Sequence, residues 1–222
     1  MSAAAALAQT SPLDELQALL DAQAYPPTHT YRIEPLEPTD VLHQRVALMN
    51  RLSPQFFERG HALLDVGCNK GFFSLNVAGR FTRVVALDTD AHCIGLCRRI
   101  ADYLGIENVE FEASSFGRLA TQGRFDRVLI GNVHHYIFRE AGGRWSWVDK
   151  LARLATGLVL IEGPLGMECA DMDAAIPAEM RVAFDRDLFF DAMSRHFTLL
   201  DFAPTVAYTP DRYLMLFERR PR

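Results

Sequence analysis

The chain has 222 residues, 49% hydrophobic and 23% charged; this is the make-up of a globular domain with a full core, and it excludes a disordered chain, a collagen-like repeat or a coiled-coil rod. A formal net charge of -5 offers no global attraction to a phosphate backbone and argues against nucleic acid as the partner. No apolar run approaches the roughly 20 residues that span a bilayer, and the Ala-rich start has no basic segment of an export signal, so the reading is a cytoplasmic protein without a membrane partner.

Ser11, Pro12 and Asp14 read as an N-cap, a proline at the first helical position and an acidic first turn. Leu13, Leu16, Leu19 and Leu20 then form one apolar stripe. Pro26 and Pro27 end that helix, and an irregular Tyr- and Pro-rich stretch over residues 25–38 leads to Thr39. Thr39 is expected to cap a second helix with Leu42, Val46, Met49 and Leu52 inward. Residues 1–60 therefore read as a helical extension or cap, and residues 61–222 as the main domain.

From His61 onward, short apolar runs alternate with helical segments, at residues 61–66, 83–87, 108–112, 125–131 and 157–162. Strand-helix alternation predicts an α/β fold, a doubly wound, Rossmann-like parallel sheet with helices on both faces. Two last runs, 197–202 and 213–218, are joined too closely for a helical crossover and predict an antiparallel pair at the sheet edge. Cys68, Cys93, Cys97 and Cys169 have neither the spacing of a zinc site nor that of a disulfide framework. Cys93 and Cys97 accompany Ile94, Ala101 and Leu104 on a helical stripe and read as small core groups. No metal is expected.

Residues 64–73 run Leu-Asp-Val-Gly-Cys-Asn-Lys-Gly-Phe-Phe, an apolar strand feeding a glycine turn and a helix. A dinucleotide fingerprint counted from Gly67 requires glycine where Asn69 and Phe72 stand, and no glycine here is followed by Lys and then Ser or Thr as in a Walker A loop. Counted as acidic-x-Gly-x-x-x-Gly, the segment matches Asp65, Gly67 and Gly71, and there it resembles motif I of the class I S-adenosylmethionine-dependent methyltransferase family. Asn69 stands where that family usually has a third glycine, and Asn tolerates the left-handed backbone better than most residues.

The resemblance implies S-adenosyl-L-methionine as cofactor, with Asp65 on its methionine ammonium and the backbone at Gly67, Asn69 and Gly71 approaching it closely. Asp88 closes a strand 23 residues after Asp65, where doubly wound folds place the acceptor for ribose hydroxyls; its other reading is a helix N-cap. After the next strand the family usually has an Asp for the adenine amino group. Ser115 stands near that position here, with Phe116 beside it as a wall for the ring. The segment from Phe125-Asp126 to Asn132-Val133-His134-His135-Tyr136 resembles the family's strand that begins Phe-Asp and ends in an Asn followed by a His-His pair beside the transferable methyl. Asn132 thereby joins the cofactor residues. His134 and His135 become the catalytic candidates, since an imidazole of pKa about 6.5 suits removal of an acceptor proton.

Substrate-facing aromatic candidates are Tyr25, Tyr31, Tyr136 and Trp145, with Trp147 and Phe184 as further ones that read equally well as core. The resemblance covers about residues 63–162 and implies a seven-stranded sheet of order 3-2-1-4-5-7-6 with strand 7 antiparallel. An amide-type clamp, Asn or Asp followed by Pro-Pro and an aromatic, is absent after the fourth strand, and no paired cysteines or long basic run accompany the motifs. The implied activity is methyl transfer to a small-molecule acceptor, at oxygen or nitrogen and of the kind met in secondary metabolism, by in-line displacement. Two other readings stand beside it: a tRNA-type RNA methyltransferase, because Asp-Val-Gly-Cys-Asn-x-Gly-Phe-Phe also looks like some RNA-modifying members, and a non-catalytic regulatory protein that binds S-adenosylmethionine.

Overall fold

In the computed structural model, which describes residues 11–22, 30–119, 123–166, 181–205 and 212–221, α1 (Pro12–Ala22) begins on the expected cap. Asp14 N donates to Ser11 Oγ at 3.1 Å and Ser11 N donates to the Asp14 carboxylate at 3.3 Å, a capping box. Leu16 and Leu20 are buried, and Leu13 and Leu19 pack partly buried beside them. Residues 30–38 are more regular than the sequence predicts, because β1 (Tyr31–Arg32) and β2 (Glu37–Pro38) pair antiparallel. Thr39 does precede α2 (Asp40–Leu52), but its hydroxyl donates to the Thr30 carbonyl at 2.8 Å instead of capping the helix. Leu42 and Met49 are buried, and Val46 and Leu52 half-buried.

The main sheet takes β3 (Gly60–Val66), β4 (Phe81–Asp88), β5 (Val109–Ala113), β6 (Phe125–Gly131), β7 (Ala155–Pro164), β8 (Phe197–Pro204) and β9 (Arg212–Arg219). Its order is β5-β4-β3-β6-β7-β9-β8, which with β3 counted first is the expected 3-2-1-4-5-7-6. Strands β3 to β7 pair in parallel, and β9 runs antiparallel to both β7 and β8. The chain between Pro204 and Arg212 is too short to cross back over the sheet, so β9 must return alongside β8. Helices α3 (Phe72–Val77), α4 (Ala91–Leu104), α5 (His134–Glu140), α6 (Ser146–Leu154) and α7 (Arg186–Ser194) connect the strands.

Central strands are apolar on both sides because both faces are covered. Leu63 and Leu64, Leu129 and Ile130, and Leu160 and Ile161 are all buried. The extension shares this core: Leu16, Leu20, Tyr31, Ile33 and Leu42 cluster with Phe72, Ala86, Ile94 and Cys97, and Met49 with Leu63, Val84 and Leu129. Cys93 and Cys97 are buried thiols, as expected of small core groups, and Cys68 is buried as well, while Cys169 and Tyr25 lie outside the described residues. Among the described residues there is no group of three metal-ligating side chains, and no helix is long and apolar enough to cross a membrane. Strand order reverses between β3 and its two neighbours, β4 and β6, and a ligand crevice is expected at the carboxyl ends of these strands.

Candidate functional site

The turn after β3 is built on left-handed backbone. Gly67 has φ 77 and Gly71 φ 78; a Cβ at Gly67 would lie 2.6 Å from Val133 Cγ1, and one at Gly71 2.8 Å from Cys97 Sγ. Conformation and space both exclude a side chain at these positions. Asn69 adopts φ 49, the conformation that Asn tolerates, and its N–H donates to Asp88 Oδ2 at 2.9 Å. The end of β4 is thus tied to the glycine turn. Asp90, rather than Asp88, caps α4, accepting from the His92 and Cys93 N–H groups at 2.8 and 3.2 Å, while Asp88 accepts from Asp90 N at 3.0 Å.

Asp65 is 2% exposed and accepts a hydrogen bond from Ser74 Oγ at 2.6 Å. Burial pushes its pKa up to about 6; the Ser74 hydrogen bond opposes that, Asp88 reinforces it, and Arg45 opposes it. Asp65 lines a narrow pocket beneath α2 together with Leu42, Arg45, Phe73 and Gly131. Arg45 reaches into this pocket to form a buried ion pair with Glu162 at the end of β7, its Nε donating at 2.8 and 3.1 Å and its Nη2 contacting Oε2. The two side chains are 4% and 1% exposed. Sequence reasoning missed both residues. Arg45 carried a signal, since it interrupts the apolar face marked by Leu42, Val46 and Met49, and a charge on a buried face requires a partner. Glu162 carried none.

A cavity of about 720 Å³ opens between the glycine turn and α5, lined among others by Asp88, Ser115, Phe116, Val133, Tyr136 and Glu140. That volume lies within the ~300–1,000 Å³ range of small-molecule and cofactor sites. Phe116 is buried with the Lys150 ammonium 5.3 Å from its ring centroid, and Ser115 Oγ donates to the Glu140 carboxylate. Asn132 adopts φ 59 and accepts a hydrogen bond from Arg212 through Oδ1. Asn132 Nδ2 and Asn69 Oδ1 are both buried without a protein partner, polar atoms of the kind a bound ligand or water satisfies.

His134 and His135 lie away from the cavity. His134 is fully buried against the Gly163 backbone, where any Cβ would collide with its ring, and it packs edge-on to Phe189 at 5.5 Å between centroids. Burial lowers its pKa to about 4, with the Ala183 backbone opposing and Arg212 adding to the effect. His135 is 9% exposed and lies against Tyr136 and Phe184, with centroids at 4.1 and 5.3 Å. Burial, then His134, Arg212 and Arg139, lower its pKa to about 2. Neither ring lines the cavity. The sequence-based expectation of a base titrating near neutrality assumed solvated imidazoles, whereas α5 turns both into an aromatic cluster.

The aromatic candidates divide in the same way. Tyr136 is 51% exposed and lines the cavity. Tyr31, expected to meet substrate, is 1% exposed, packs on Phe72 and donates its hydroxyl to the Lys70 carbonyl at 2.6 Å, bracing the glycine turn from behind. Trp145 packs against Phe138 and Phe189 at 4.7 and 5.9 Å, and Trp147 and Phe184 are buried; these three hold the core together.

Residues 57–142 match the family profile described as a methyltransferase domain. The O-antigen chain terminator bifunctional methyltransferase/kinase of Escherichia coli is 26% identical over 167 residues, which cover 69% of this chain but only 22% of that protein. A 23S rRNA (uracil(747)-C(5))-methyltransferase of Yersinia pestis is 36% identical over 61 residues, 28% of this chain and 16% of that enzyme. Among solved structures, the N-methyltransferase NodS of Bradyrhizobium japonicum in complex with S-adenosyl-L-homocysteine superposes with a TM-score of 0.65 at 16% identity, covering 95% of this chain and 99% of NodS; this is a likeness of fold. The methyltransferase-domain match takes in the glycine turn, Asp88 and α5, and the strand order is the one that the resemblance to class I S-adenosylmethionine-dependent methyltransferases implies.

Proposed function

We propose that this chain binds S-adenosylmethionine along the carboxyl ends of β3, β4 and β5 and methylates a small-molecule acceptor in the cytoplasm. The observation that carries the reading is the cavity of about 720 Å³ bounded by the left-handed glycine turn and Asp88. Bound there, the cofactor supplies a methyl already activated by its sulfonium. The chain's own residues bind and orient it. Asp65 holds the ammonium, Asp88 accepts from the ribose hydroxyls, and Gly67, Asn69 and Gly71 admit the ligand close to the backbone. Ser115, Phe116 and Asn132 enclose the nucleoside end. Residues 1–60 cap residues 61–222 at the site, a role supported by the Arg45–Glu162 pair joining α2 to β7.

The lowered pKa values of His134 and His135 support alignment over proton abstraction, because a general base works best with a pKa near the working pH. In this reading His134 anchors α5, His135 sets the Tyr136 ring, and Tyr136 forms the acceptor-side wall. Rate then comes from exclusion of water and in-line orientation of a nucleophilic acceptor lone pair. The net charge of -5 supports a small acceptor over RNA.

Calorimetry with S-adenosylhomocysteine tests the cofactor: binding is expected, and its absence refutes the proposal. For the acceptor, the chain is incubated with methyl-labelled S-adenosylmethionine and, separately, a metabolite extract or tRNA. Label in the small-molecule fraction supports the reading, label in tRNA replaces it with RNA methylation, and cofactor binding without any labelled product favours a regulatory protein.

A further inference from the structure

The adenine end of the site has Ser115 near the position where the family resemblance calls for an acid. A carboxylate lies beside it, supplied by another element. Glu140, the last residue of α5, accepts from Ser115 Oγ through Oε1 and from the Gly117 N–H through Oε2 at 3.0 Å. It lines the same cavity as Asp88 and Phe116. Gly117 leaves room for it in this position: a Cβ there would lie 2.5 Å from Glu140 Cδ and Oε1 and would make the carboxylate shift. Lys150 donates to the carbonyls of Phe116 and Gly117 at 2.7 and 2.8 Å, which brings a cation to this corner. Burial lowers the Lys150 pKa, and the Glu140 carboxylate opposes that shift.

Two hydrogen bonds do not exhaust a carboxylate, which has about four lone-pair sites. We propose that Glu140 is the residue by which this chain recognises adenine: its carboxylate, held by Ser115 and Gly117, accepts a hydrogen bond from the exocyclic amino group of the cofactor. Ser115 is the positioning residue. The inference rests on the cofactor reading above and adds a specificity to it, because a purine bearing a carbonyl oxygen in place of the amino group presents an acceptor to an acceptor.

The test is calorimetry of the full chain with S-adenosylhomocysteine and with S-inosylhomocysteine, in which the amino group is replaced by a carbonyl. A charge-assisted hydrogen bond predicts that the wild type prefers the adenosyl ligand by about 10- to 100-fold. In Glu140→Gln, whose amide can also donate, that preference is expected to collapse to within about threefold or to reverse. Asp88→Ala is expected to weaken both ligands together and leave the ratio near wild type. A Glu140→Gln chain with wild-type melting behaviour and an unchanged ratio would overturn the assignment, as would a wild type that binds both ligands equally, and either result leaves the cofactor reading standing. A wild type that binds neither overturns both.

Discussion

Lowering the pH from 7 to 5 is expected to weaken S-adenosylhomocysteine binding about tenfold, and Asp65 is the reason. Its carboxyl, buried with a single hydrogen-bond donor in Ser74, has a pKa of about 6. In the proposed complex the ligand's ammonium requires it ionised. At pH 7 about a tenth of the unliganded chain is protonated there, and at pH 5 about nine-tenths, so the apparent affinity falls by a factor of about 10, or about 1.4 kcal/mol. The ligand's own carboxyl and amino groups, with pKa values of roughly 3.5 and 8 or above, titrate outside this window, and so do His134 and His135 at about 4 and about 2. Calorimetry at pH 6 in two buffers of different ionisation enthalpy should show about half a proton released on binding. The same shift acts on stability with the opposite sense. A pKa raised from 3.8 to about 6 on folding contributes stability that is complete below pH 3.8 and lost as pH rises through 6, about 3 kcal/mol in all. Asp65→Asn should bind the ligand more weakly, without this pH dependence, and should lose the matching slope in urea-denaturation stability. Equal wild-type affinity at pH 5 and pH 7, or a pH dependence that survives in Asp65→Asn, would refute the reasoning.

Arg45→Met should destabilise the chain by about 3–5 kcal/mol in urea denaturation, because it leaves Glu162 buried and unpaired. The double variant with Glu162→Leu should recover much of that loss, and a single-variant cost below about 1 kcal/mol would show that the pair is not buried in solution. Gly71→Ala is expected to cost about 1–3 kcal/mol from left-handed strain alone, with the Cys97 collision adding to it; an unchanged melting temperature would contradict that turn. Once an acceptor is identified, the pH profile of kcat/KM should show no acidic limb between pH 6 and 7 that disappears in His134→Ala or His135→Ala. Such a limb would restore a histidine general base.

What the sequence determined by itself is carried by near neighbours along the chain. The Ser11 cap with Pro12, the left-handed sites at Gly67, Asn69 and Gly71, the apolar run at residues 125–131 and the 23-residue step from Asp65 to Asp88 all depend on local conformation and spacing, and the family's motif I is itself a local pattern. The direction of β9 was legible too, since a short link limits the topologies open to it. Tertiary structure decided what depends on distant partners. Arg45 meets Glu162 across 117 positions and Ser115 meets Glu140 across 25, and no local rule connects those residues. The histidines are the sharpest case. Their sequence position beside a strand end suggested a solvated base, but Phe184, Phe189 and Gly163 close over them from elsewhere in the chain. Desolvation, which sets their pKa values, is a property of that packing and not of the residues beside them.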